Sequence, residues 1–66
     1  MELTDRRSIQ RMHRIQHIET LLKKIKETDD RTLDFEEFEF QMAEYFGISI
    51  RVARDYIKTA KWRVKW

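Results

Sequence analysis

Ala43-Glu44-Tyr45-Phe46-Gly47-Ile48-Ser49, followed by Ile50-Arg51-Val52-Ala53-Arg54-Asp55-Tyr56-Ile57, decides how this chain is read. The stretch holds the only glycine among 66 residues. A helical apolar pattern leads into Gly47, and a second starts two residues after it. Two helices joined by a tight turn are written this way. Glycine accepts a positive φ at little cost, and Ser49 is a ready N-cap for the second helix. Ala43 lies four residues before the glycine, where a small side chain lets the helices cross closely. Ala53 is placed to meet it from the opposite helix.

Upstream, Asp34 predicts the N-cap of the first of these helices, with Glu37 at the capping-box position. Glu36, Glu37 and Glu39 suit the positive end of its dipole. Phe35, Phe38, Met42 and Phe46 recur at helical spacing and are read as core rather than as a ligand pocket. Phe40 falls off that stripe, either as a lid over an earlier helix or as a partner contact.

Downstream, the helix capped by Ser49 is expected to run to about Lys61. Its inward set is Ile48, Val52, Ala53, Tyr56 and Ile57; its outward set is Arg51, Arg54, Asp55, Lys58 and Lys61. The tail Lys61-Trp62-Arg63-Val64-Lys65-Trp66 alternates basic and apolar residues, which predicts a half-buried strand. Such a strand needs a backbone partner, and Thr32-Leu33 is the nearest candidate.

A long helix precedes all of this, at about 8–27. Thr4, Asp5 and Ser8 can each cap it; Arg6 and Arg7 in a first turn would oppose the dipole, which favours Ser8 and leaves 1–7 as an arm. Thr28-Asp29-Asp30 reads as its stop. Ile15, Ile18, Leu22 and Ile25 form one stripe, from which Ile9 and Met12 drift away. The N-terminal end is therefore expected to overhang the core, with Ile9, Met12 and Ile15 as a homodimer interface.

The chain is one small domain over 1–66, near the lower size limit for folding unaided. With no cysteine, disulfide staples and cysteine zinc sites are excluded. One glycine and no proline fit an all-α or mainly α fold. No apolar run approaches the roughly 20 residues of a membrane span, so no membrane partner is expected. The N-terminus also lacks a signal-peptide apolar region, and a cytoplasmic location is expected. Charge is segregated. Residues 31–47 carry one basic residue against five acidic ones, whereas residues 48–66 carry six against one. A basic end of that kind suits a polyanion.

Ala43 to Ser49 resembles the A-E-x-x-G-[VI]-S core of helix-turn-helix repressors, over about twenty residues, roughly Glu39 to Lys58. With the preceding helix and the trailing strand, the whole resembles a winged-helix domain with a short, single-strand wing. The resemblance implies a small, nucleoid-associated transcriptional regulator or architectural protein that binds double-stranded DNA. It places the helix of about 49–61 in the major groove. Ser49, Ile50, Arg51, Arg54 and Asp55 would then lie nearest base edges, with Arg51 or Arg54 on guanine and Ile50 on a thymine methyl. Lys58, Lys61, Arg63 and Lys65 would lie over phosphates. Asp55 either accepts from a cytosine amino group or pairs with Arg51 one turn back, and the i,i+4 spacing favours the pair.

Other features carry less. His13 and His17 have two-ligand spacing, but no third ligand is placed, so no metal is expected. Trp62 and Trp66 either close the core or stack on bases, and the burial tendency of large aromatics favours the core. Arg6-Arg7 reads as a solvated arm rather than a minor-groove one. No acid, base and nucleophile cluster, which argues against an enzyme, a cofactor or a small-molecule substrate. The alternative function is a protein-interaction module using the long helix and the aromatic tail.

Overall fold

In a computed structural model, residues 6–28 and 33–66 are described. They form three α-helices: α1 (Arg6–Glu27), α2 (Phe35–Phe46) and α3 (Ile50–Arg63). Among the described residues there is no strand.

α1 begins at Arg6, two residues before the expected Ser8. Two arginines against the dipole oppose the helix by only some tenths of a kcal/mol each, and arginine is a good helix former. The alternative caps Thr4 and Asp5 lie outside the described residues, as do the side chains of Arg6 and Arg7 and the expected stop at Asp29-Asp30. With 22 residues, α1 is about 33 Å long. Its predicted stripe is the centre of the core: Ile15, Ile18 and Leu22 are almost completely buried, and Ile25 is half-buried.

α2 starts as its sequence requires. The Asp34 carboxylate accepts from the backbone N–H of Glu36 at 3.0 Å and of Glu37 at 3.4 Å. Phe38, Met42 and Ala43 are buried, while Phe35 and Phe46 are half-buried against the same core. Phe40 stays exposed. The helix stops at Gly47, whose φ of 67° is left-handed. There Ile48 N–H donates to Ala43 O at 2.9 Å and Gly47 N–H to Glu44 O at 3.3 Å, the Schellman arrangement. Two residues later the Ser49 hydroxyl accepts from Val52 N–H at 3.2 Å and opens α3.

α3 buries Ala53, Tyr56, Ile57, Ala60 and Val64. The expected inward set needs one correction: Val52 is exposed. It lies about 100° from Ala53 round the helix, on the flank rather than on the buried stripe.

The expected tail strand is also overturned, because α3 continues to Arg63 and caps at Val64. Ala53, Ile57, Ala60 and Val64 recur at helical spacing, and this period outweighs the short alternation beyond Lys61. A lone strand would leave its backbone unpaired, whereas the helix pairs its own. Leu33 has no regular structure, and Thr32 lies outside the described residues. At the end of α3, Trp66 N–H donates to Lys61 O at 2.9 Å and Lys65 N–H to Trp62 O at 3.3 Å. Lys65 itself is left-handed, with φ 58°. The Lys26 ammonium on α1 donates to Val64 O at 3.2 Å and Lys65 O at 3.1 Å, tying the end of α3 to α1.

α1 and α3 run side by side in the same sense. Arg11 meets Asp55 and Glu19 meets Arg63, so each contact joins residues 44 apart. Arg11 reaches α3 in this way, yet residues 8–13 are all exposed and the first buried residue described in α1 is Ile15, so the start of the helix extends past the core.

Candidate functional site

The side of α3 opposite its buried stripe carries Arg51, Asp55, Lys58 and Trp62, all exposed, and the exposed Lys65 follows just past the helix end. At about 100° per residue the first four make one ridge along the helix. The rigid frame behind it comes from the Ser49 cap, the Gly47 turn and the packing on α1 and α2.

Ion pairs sort the charges of α3 by their position round the helix. Asp55 does not make the intrahelical pair expected of it. Its carboxylate accepts from the Arg11 guanidinium of α1 at 3.3 Å rather than pairing with Arg51. Arg11 also lies over the Tyr56 ring, 5.7 Å from its centroid, which orients it toward α3. Arg54 turns to α2 and donates to Glu39 at 3.2 Å. Arg63 turns to α1, its Nε 2.9 Å from Glu19 Oε2. The Glu19 side chain is only 14% exposed, and Oε2 has no aligned hydrogen bond, so the neighbouring guanidinium is what offsets its charge.

The remaining cations differ. Among the described residues, no carboxylate lies within ion-pair distance of Arg51, Lys58, Lys61 or Lys65. Lys61 is half-buried and holds its ammonium 4.1 Å above the Phe35 ring. Of the nine residues expected at the interface, Arg51, Lys58 and Lys65 are thus exposed and unpaired among the described groups. Arg54, Asp55 and Arg63 are engaged with the other two helices. Ser49 is the cap of α3, and Ile50 is half-buried against the core. The partners Arg11, Glu19 and Glu39 had no local signal in the sequence, since each contact joins residues at least 15 apart.

The expected dimer surface is also divided. Ile15 is 1% exposed and belongs to the monomer core, whereas Ile9 and Met12 are exposed. His17 stacks on Tyr45 with ring centroids 5.2 Å apart and meets the edge of Phe46 at 5.8 Å, so it packs α1 against α2. Among the described residues no three metal-ligating side chains gather. The two tryptophans part company. Trp66 is half-buried edge-on to Phe35 at 5.5 Å, whereas Trp62 is 82% exposed, contrary to its expected place in the core. Its position on the ridge, opposite Ala53 and Ala60, explains why.

Among the described residues, no helix is long and apolar enough to cross a membrane. Comparison with protein-family models, with curated proteins and with solved structures finds no match.

Proposed function

We propose that this chain binds double-stranded DNA through α3, as the second helix of a helix-turn-helix, and acts as a small nucleoid-associated transcriptional regulator or architectural protein. The sorting of charge round α3 carries the reading. Cations on its flanks are engaged with α1 and α2, while Arg51, Lys58 and Lys65 have no described carboxylate within ion-pair distance. Asp55, the carboxylate least welcome on a DNA-facing surface, is offset by Arg11. Arg51, in the first turn of α3, is the group best placed for a guanine edge. Lys58 and Lys65 suit phosphates. Because the tail is helical, the phosphate contacts come from the end of α3 and not from a wing.

The test is a duplex titration at several salt concentrations. Binding should weaken steeply with salt. Arg51→Ala should relax sequence preference, and Lys58→Ala should weaken binding to all sequences alike. Absence of duplex binding at low salt sinks the proposal. A homodimer through Ile9 and Met12 belongs to the same reading, supported by their exposure. Sedimentation as a monomer at high micromolar concentration removes that part alone.

A protein-interaction role is the second reading, favoured by the exposed Phe40, Tyr45 and Trp62. Chemical-shift changes with random-sequence duplex, confined to residues 49–65, support DNA; their absence supports a protein partner.

A further inference from the structure

Duplex docking gives the lysines at the end of α3 phosphates to meet but leaves Trp62 without a task. Trp62 presents most of its indole to solvent on a ridge that is otherwise charged. An open groove runs past it, lined by Lys58, Lys61, Lys65 and Trp66. The one acid on that groove is Asp55, which Arg11 holds. Lys58, one turn before Trp62, and Lys65, just past the helix end, line the same groove as the indole. Trp66, edge-on to Phe35, fixes the side of the groove next to the core.

A flat aromatic face beside two cations complements one unpaired nucleotide. The ring stacks on the base, and the ammonium groups meet the phosphates on either side. A base inside an intact duplex has both faces covered by its neighbours and cannot be stacked upon in this way. A base beside a gap, at a frayed end or in a bulge has a free face.

We infer that Trp62 stacks on an unpaired base of a DNA strand, with Lys58 and Lys65 on the flanking phosphates, so that interrupted duplex is preferred over intact duplex. This rests on the reading that α3 binds DNA, and it names the form of DNA that the end of α3 selects. Trp66, backed by Phe35, already closes one side of the groove, so no rearrangement of the fold is needed.

The full chain carrying Trp66→Phe has Trp62 as its single tryptophan, and its emission reports on stacking directly. Two probes are titrated: an intact duplex, and the same duplex with a one-nucleotide gap. Emission is followed with binding anisotropy. The gapped probe is expected to quench Trp62 and to bind roughly tenfold tighter, the order of one base–aromatic stack. Trp62→Ala in the otherwise unchanged chain should remove the preference while intact-duplex affinity stays within about twofold, and Trp62→Phe should restore part of it. Circular dichroism checks that the variants keep their helices, which the exposure of Trp62 favours. Equal affinity for the two probes without quenching overturns the stacking and leaves duplex binding standing. Failure of both probes to bind overturns the two readings together.

Discussion

α2 and α3 end in the same hydrogen-bond arrangement, yet one uses Gly47 and the other Lys65 for the left-handed residue. In glycine that conformation is free of the Cβ clash; in lysine it is strained by about 1 kcal/mol. The end of α2 stands without help, because the next residues lead straight into the Ser49 cap. The end of α3 has outside support, since Lys26 donates to two of its last carbonyls. The contrast separates a turn shaped for folding from one that tolerates strain while displaying a cation. A local rule broken without a local benefit is where a functional constraint is to be sought.

Three substitutions probe this contrast, and a core change sets the scale above them. Leu22→Ala empties part of the centre of the core and should remove about 3 kcal/mol. A domain of this size holds only about 3–5 kcal/mol from a single core, so thermal melting should show a midpoint lowered by roughly 12–24 °C. Lys26→Met keeps the aliphatic stem but removes the donor to α3. It should lower stability by about 1 kcal/mol and speed amide exchange at Lys65 and Trp66 more than at Gly47 and Ile48. Equal effects at the two helix ends would dissolve the contrast. Gly47→Ala meets no atom within 4 Å, so it carries the strain of its φ alone and should cost about 1 kcal/mol in a denaturant titration. Lys65→Gly is the reverse change and the smallest. It should raise stability by about 0.5 kcal/mol, less than the strain released because glycine also loosens the unfolded chain, while salt-sensitive duplex affinity falls. A stability loss instead would show that the Lys65 side chain serves the fold.

Most of the frame follows from local signals. Asp34, Gly47 and Ser49 act through neighbours at most five residues away, so their roles as cap, stop and cap could be read directly. The stripe of Ile15, Ile18 and Leu22 has a clear helical period and lies where it points. In the tail, six alternating residues are too few to separate a period of 2 from one of 3.6, and Ala60 and Val64 gain their meaning only when counted with Ile57. Ile15 belongs by spacing both to the Ile18 and Leu22 stripe and to the neighbourhood of Ile9 and Met12, and its burial shows that the stripe takes it. The candidate site was legible only in part. Arg51, Lys58 and Lys65 are exposed as expected, but which other cations are engaged depends on how α1 and α2 pack on α3, and no spacing within α3 encodes that.

The two cross-links between α1 and α3, Arg11 to Asp55 and Glu19 to Arg63, share one offset of 44 residues and sit eight residues apart on each helix. Both links belong to one register of α1 against α3: displacing either helix by one residue, about 1.5 Å along the axis with side chains about 100° round, shifts both pairs together. For a surface carried on α3, this means that its spacing of charges is set before any partner arrives, and the ordering penalty of assembling it is met during folding instead of at the encounter.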